Sequence, residues 1–270
     1  MSWRLHRETR FMTDPLRVLI LGGTAQARML IERLAREPAV APILSLAGRT
    51  KNPLLPAGAY RIGGFGGVAG LAAWLRAGAI DLVIDATHPF AEQMSAHAEA
   101  ACREVAVPLA LFTRQPWTPR EGDRWNEVAT AQAAASALGP LPRRVFLTVG
   151  RLQLPAFEEA PQHHYLIRSI DAPEPALTLP AYRLLLARGP FSLEEEMRLM
   201  QTEKIDVLVT KNSGGEATYA KIEAARRLAI PVILMRPPAS TKAPVFYDLD
   251  AICTFIVEAA HQRASEPRGV

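Results

Sequence analysis

Chemistry in this sequence concentrates in glycine-bearing or cationic turns that follow apolar runs. The first is Gly22-Gly23-Thr24, with Ala25 and Gln26, between the apolar run Val18–Leu21 and a helical pattern on Ala27, Leu30, Ile31 and Leu34. Strand, glycine turn and helix start together make an anion-binding device. Glycine lets backbone approach a ligand closely, and the helix N-terminus offers its N–H groups to a phosphate. The turn fits G-x-T-x-x-A where the dinucleotide fingerprint has G-x-G-x-x-G/A, so a tight turn without a ligand stays open on these residues alone. Asp85, Thr87 and His88 follow the apolar run Leu82–Ile84, at the carboxyl edge where open α/β sheets bind ligands. Pro89 suits the first position of the following helix. A third segment, Lys211-Asn212-Ser213-Gly214-Gly215, follows Asp206–Thr210, and a cationic glycine loop in that position reads as an anion site.

Two further features bear on the first turn. A second strand over Ile43–Ala47 ends in Gly48-Arg49-Thr50, and no Asp or Glu occurs between Glu37 and Asp81. The acid that takes the ribose 2′-hydroxyl of NAD is therefore missing, and Arg49 suits a 2′-phosphate, which points to NADPH. Gly63-Gly64-Phe65-Gly66-Gly67 offers either flexible packing or a second close approach of backbone to a ligand, with Gly64 as the candidate contact.

The elements that must position these turns repeat along the chain. Arg144–Arg151 echoes the opening strand and its turn, and Asp206–Thr210 echoes Asp81–Asp85. The offsets agree, 64 residues from Arg17 to Asp81 and 62 from Arg144 to Asp206. Two related α/β halves follow from this. The fold class expected is two Rossmann-like, doubly wound parallel-sheet domains with the active site in the cleft between them. The expected boundaries are a disordered N-terminal extension at 1–14, a dinucleotide domain at 15–140, a substrate domain at 141–262 and a flexible tail at 263–270. The proline cluster Pro140-Leu141-Pro142 serves as the linker. In the second half Ser192 and Glu195 form a capping box, and the acidic run Glu194–Glu196 suits a first helical turn.

Composition removes several function classes. Half the residues are hydrophobic and no run approaches the ~18 apolar residues of a membrane span. The charged N-terminus lacks the apolar centre of an export signal, which counts against a two-lobed solute receptor. A net charge of +4 favours anionic ligands, but the basic residues are dispersed, so nucleic acid is not a partner. The two cysteines, Cys102 and Cys253, are isolated, which suits a reducing cytoplasm and gives no metal site. Adjacent His163 and His164 point apart on a strand and do not chelate. No G-x-S-x-G elbow, P-loop lysine or Tyr-x-x-x-Lys relay occurs. From the residues alone the chain is an NADPH-dependent reductase of an anionic substrate. A reductase of another conjugated polyanion and a non-catalytic NADP(H)-sensing protein remain as alternatives.

Taken together, the motifs resemble the precorrin-6A reductase family of cobalamin biosynthesis. The likeness is carried by Gly22-Gly23-Thr24 with Ala27-Arg28, by Ala47-Gly48-Arg49-Thr50 and by Asp85-Ala86-Thr87-His88-Pro89-Phe90. In the second half it is carried by Arg188-Gly189-Pro190-Phe191-Ser192, Lys211–Gly215 with Thr218 and Lys221, and Arg236-Pro237-Pro238. The resemblance spans roughly residues 15–257. It implies hydride transfer from NADPH to a macrocyclic double bond of precorrin-6A, a tetrapyrrole rich in carboxylates, giving precorrin-6B. It places Gly22 to Gln26 at the pyrophosphate, Arg49 and Thr50 at the 2′-phosphate, and Thr87 and His88 near the nicotinamide or the macrocycle. Lys211, Asn212, Ser213, Gly214, Lys221, Arg188 and Arg236, with Asp85, would receive the tetrapyrrole. The proton donor is left open among His88, Lys211 and water, and transient contact with neighbouring pathway enzymes is the one protein partnership implied.

Overall fold

The computed structural model describes residues 14–48, 58–238 and 242–265. Arg49, Thr50 and the N-terminal extension as far as residue 13 lie outside the described residues. The chain divides into two compact units, and each is built on its own six-stranded parallel sheet.

The first unit opens with β1 (Leu16–Leu21), α1 (Ala25–Leu34), β2 (Val40–Leu46), β3 (Ala59–Ile62), α2 (Gly67–Ala77), β4 (Leu82–Asp85), α3 (Glu92–Val105) and β5 (Leu109–Phe112). The second holds β6 (Trp125–Val128), α4 (Ala131–Ala137), β7 (Arg144–Thr148), a 3-10 helix (Arg151–Glu159), β8 (His164–Ser169), β9 (Tyr182–Leu186), α5 (Leu193–Thr202), β10 (Val207–Lys211), α6 (Ala220–Arg227) and β11 (Val232–Met235). The chain then returns to the first unit as β12 (Val245–Phe246) and α7 (Leu249–Ser265).

The sheet orders are β3-β2-β1-β4-β5-β12 and β9-β8-β7-β10-β11-β6, the same doubly wound order twice. The middles of the central strands are apolar because helices cover both faces; Val18, Leu19 and Ile20 of β1 are fully buried. The repeat extends to local geometry. The Arg17 N–H donates to Asp81 Oδ2 at 2.8 Å, and the Arg144 N–H to Asp206 Oδ2 at 2.7 Å. Left-handed residues close equivalent helices in pairs, Ala79 with Lys204 and Ala106 with Ala229.

Domain boundaries depart from the sequence expectation of 15–140 and 141–262. The first unit ends at Thr113, the second is Arg114–Ala239, and the last strand and helix belong to the first. The reason is reciprocal: the chain leaves each sheet after its fifth strand, and the strand that follows, β6 or β12, becomes the sixth strand of the other sheet. Pro140 to Pro142 therefore lie inside the second unit, between α4 and β7. Ile252, Ile256 and Ala260 of α7 pack with Leu30, Ile31 and Leu34 of α1 in the core of the first unit. Residues 263–265 continue that helix rather than starting a tail, and Arg263 pairs with Asp81. Pro89 also falls in a turn before α3, which starts at Glu92.

Candidate active site

In each sheet the strand order reverses between the first strand and its neighbour, β1 with β4 and β7 with β10. The turns leaving those strands carry the candidate residues.

In the first unit, the Gly22 N–H donates to the Ser45 carbonyl at 2.9 Å. A Cβ at Gly22 would stand 2.5 Å from Leu44 Cδ1, so this glycine answers a packing need. Gly23 differs: its φ is +114° and nothing lies within 4 Å of a Cβ built there. Thr24 caps α1, accepting from the Ala27 N–H at 3.1 Å while its hydroxyl donates to the Ala86 carbonyl at 2.7 Å. That second bond ties the start of α1 to the end of β4. Ala25 and Gln26 form the first turn of α1 behind it.

Asp85 is buried and organises the second turn. Its Oδ1 accepts from the Thr87 N–H at 3.0 Å and the Thr87 hydroxyl at 2.6 Å; its Oδ2 accepts from Ser95 Oγ at 2.5 Å. Both oxygens thus hold the protein's own turn, fixing Thr87 and Ser95 at the end of β4. His88 Nδ1 accepts from the Phe90 N–H at 3.2 Å, which leaves the neutral ring's proton on Nε2. Protonating Nδ1 would break that bond.

The glycine loop after β3 is organised by a residue that sequence reasoning passed over. Arg61 donates to Ser45 Oγ and the Gly63 carbonyl at 2.8 Å each, and to the Gly64 carbonyl at 3.0 Å, while its guanidinium lies 3.9 Å from the centre of the Phe65 ring.

In the second unit the cationic loop is clamped from the side. Asn212 accepts from the Trp117 N–H at 2.8 Å and donates to the Trp117 carbonyl at 2.9 Å; Trp117 Nε1 donates to the Gly215 carbonyl at 2.8 Å. A Cβ at Gly214 would stand 2.4 Å from the Gln115 carbonyl oxygen, and one at Gly215 2.7 Å from Arg114 Cδ. Glycine is needed here because the segment Arg114–Trp117 lies directly on the loop. Buried Asn212 forms that clamp through both ends of its amide. The Ser213 N–H turns back to the Lys211 carbonyl at 2.9 Å.

Lysines Lys211 and Lys221 come together here. Lys221 is buried, donates to the Thr218 carbonyl at 2.9 Å and lies 5.4 Å from the centre of the Trp117 ring. Burial pushes its pKa down to about 7, with Arg168, Arg114 and Lys211 acting in the same direction and Glu196 opposing. Burial alone holds Lys211 at about 8 and lowers Arg114. Among the described residues the Thr218 hydroxyl is buried without a hydrogen-bond partner. The carboxylate that partly balances these charges, Glu196, forms a two-point ion pair with Arg168. Arg114, Arg168, Glu196 and Trp117 were not among the candidates from sequence. Gly150 faces the cluster from the turn after β7, where a Cβ would stand 3.1 Å from Lys211 Nζ. Arg188 and Arg236 lie exposed. A desolvated group of like charges is unfavourable by itself and is relieved by an anion.

The described residues include no group of three or more His, Cys, Asp or Glu able to hold a metal, and no helix long and apolar enough to cross a membrane. Residues 17–257 match the family model of precorrin-6x reductases, CbiJ/CobK. Precorrin-6A reductase of Rhodobacter capsulatus is 45% identical over 254 residues, 94% of this chain and 99% of that protein. The enzyme of the same name from Rhodococcus erythropolis is 49% identical over 222 residues, 82% and 89% of the two chains. The solved structure of CobK precorrin-6A reductase superposes with a TM-score of 0.83 at 44% identity, covering 94% of this chain and 99% of that one.

Proposed function

This chain belongs to the precorrin-6x reductase (CbiJ/CobK) family, and from that premise we propose that it reduces a macrocyclic double bond of precorrin-6A, giving precorrin-6B, with NADPH as reductant. The reaction is an oxidoreduction within cobalamin biosynthesis and draws on a nicotinamide cofactor, whose reduced ring supplies the hydride. The observation that carries the substrate side is the cluster of buried Lys221 with half-buried Arg114 and Lys211, beside a buried Thr218 hydroxyl that has no hydrogen-bond partner among the described residues. A substrate with many acetate and propionate carboxylates is the matching partner for such a cluster.

The residues of the first unit fit a dinucleotide. Gly23 and Gly64 leave open space where a side chain would stand, and Thr24 fixes the N-terminus of α1 against β4. Gly22 shapes the turn, and Ala25 and Gln26 present N–H groups of the first helical turn to a pyrophosphate. Arg49 and Thr50, outside the described residues, keep the 2′-phosphate role expected from sequence.

Within the second turn Asp85 orients Thr87, and Thr87 and His88 face the reacting groups. Hydride transfer depends mainly on holding donor and acceptor carbons close, so these roles are chiefly positional. The proton that completes the reduction comes from water ordered at this turn. His88 in the observed hydrogen bonding is a neutral Nε2–H donor that orients such a water. Lys221 and Lys211 receive carboxylates with Ser213, and Asn212 and Gly214 hold the loop. Arg188 and Arg236 contribute from the exposed rim. Two buried free thiols fit a reducing cytoplasm, where we place the enzyme.

The test is turnover of precorrin-6A with NADPH and with NADH in parallel, followed by absorbance of both reactants. The expected result is consumption of NADPH with loss of precorrin-6A. Unchanged spectra would leave only a binding protein, and a preference for NADH would remove the 2′-phosphate assignment.

A further inference from the structure

Resting on the NADPH assignment above, we infer that Arg61 is a specificity-determining residue that contacts the 2′-phosphate of the dinucleotide. Arg61 stands near the carboxyl end of β3, paired in register with Ser45 of β2. Ser45 joins it to the first glycine turn, since its carbonyl accepts from the Gly22 N–H and its hydroxyl accepts from Arg61. In a sheet of this order the ribose of the adenosine lies beyond the end of the second strand, and an arginine there receives the 2′-phosphate. Arg61 reaches that place from the neighbouring strand.

Its charge is held but not neutralised. All three of its hydrogen bonds go to neutral acceptors, Ser45 Oγ and the carbonyls of Gly63 and Gly64. Among the described residues no carboxylate lies within ion-pair distance, and the sequence has no Asp or Glu between Glu37 and Asp81. Packing on Phe65 at 3.9 Å and beside Trp74 at 5.8 Å fixes the guanidinium plane, so its fork is ordered before any ligand arrives. A fixed guanidinium with an unneutralised charge matches a phosphate dianion better than a lysine could. The loop beside it leaves room for a ligand. Gly64 has neither a left-handed φ nor any atom within 4 Å of an added Cβ, so neither backbone nor packing requires glycine there. Close approach of a ligand does.

The experiment compares binding of 2′,5′-ADP and 5′-AMP to the full chain and to Arg61→Gln, with thermal melting to check folding. Loss of one charge-assisted contact weakens 2′,5′-ADP roughly ten- to hundredfold and leaves 5′-AMP within about twofold. Arg61→Lys, which keeps the charge without the fork, retains part of the preference and supplies the comparison if the glutamine variant does not fold. Equal weakening of both ligands would reduce Arg61 to a loop anchor and overturn the assignment. So would an unchanged preference in Arg61→Gln. A wild-type chain that binds 2′,5′-ADP no more tightly than 5′-AMP, and uses NADH as readily as NADPH, would overturn the NADPH assignment and Arg61 with it.

Discussion

Arg168 and Glu196 meet through two hydrogen bonds, 2.7 and 3.1 Å, with side chains only 8% and 2% exposed. The guanidinium also packs 3.8 Å from the centre of the Phe191 ring. Removing one partner of a buried pair strands the other charge, which costs about 3–5 kcal/mol. Glu196→Gln is therefore expected to lower the denaturant midpoint strongly. It also removes the carboxylate that raises the Lys221 pKa. Arg168→Met with Glu196→Leu leaves no stranded charge and is expected to cost far less in the same unfolding experiment.

Binding of the polycarboxylate should weaken as pH rises past 7 to 8. Burial lowers Lys221 to about 7 and Lys211 to about 8, so both lose their charge across that range in the free protein. A bound carboxylate favours the charged forms, so binding near pH 8 takes up protons. Calorimetry in two buffers of different ionisation enthalpy measures that uptake; none would be seen if the lysines stay charged throughout.

The same shift has a stability consequence of definite sign. The folded pKa of Lys221 lies below the ordinary 10.5, so between about 7 and 10.5 the unfolded chain binds the extra proton and stability rises with pH. Lys221→Met is expected to flatten that slope and to be more stable than wild type at pH 7. A steeper slope in urea titrations across pH 7–10 would refute this.

Adjacent glycines in the first turn should fail differently. Gly22→Ala drives a methyl into Leu44 and Ala27, an overpacking cost of about 1–3 kcal/mol that appears in the melting temperature. Gly23→Ala meets no atom but strains a φ of +114°, and its methyl points into the space assigned to the ligand. It is expected to lose more NADPH affinity than Gly22→Ala for the same loss of stability, as read by titration of cofactor fluorescence.

Asp85→Ala releases Thr87 and Ser95 together and is expected to lower kcat by an order of magnitude or more, roughly the loss of a charge-assisted hydrogen bond at ~1.5–3 kcal/mol. Asp85→Asn keeps one acceptor oxygen and should recover part of the rate. For His88→Ala, full single-turnover rate with normal binding would exclude any part in the chemistry.

The turns that carry the candidate residues were legible in local spacing. Gly22-Gly23-Thr24 sits where a strand turns into a helix, and the structure places Thr24 as the cap of α1. The capping box at Ser192 and Glu195 is present as the spacing requires. Glu196 shows the limit. In sequence it is one of three acids in a first helical turn, and only its burial against Arg168, 28 residues earlier, makes it an ion-pair partner. Asn212 is similar: its amide bonds both ways with the backbone of Trp117, 95 residues away, and no local pattern announces that.

By itself the sequence determined the two α/β halves, the strands that are apolar on both faces, and the turns at their carboxyl ends. These follow from periodicity and from glycine's conformational freedom, both properties of neighbouring residues. Only the tertiary structure decided that β6 and β12 complete each other's sheets, moving the boundary from 140 to Thr113. Strand pairing depends on hydrogen bonds between segments far apart in the chain, and a four-residue strand such as β6 has too little pattern to reveal its partner. The same holds for the charges. Burial, set by everything packed around them, separates Lys211 and Lys221 from the exposed Arg188 and Arg236.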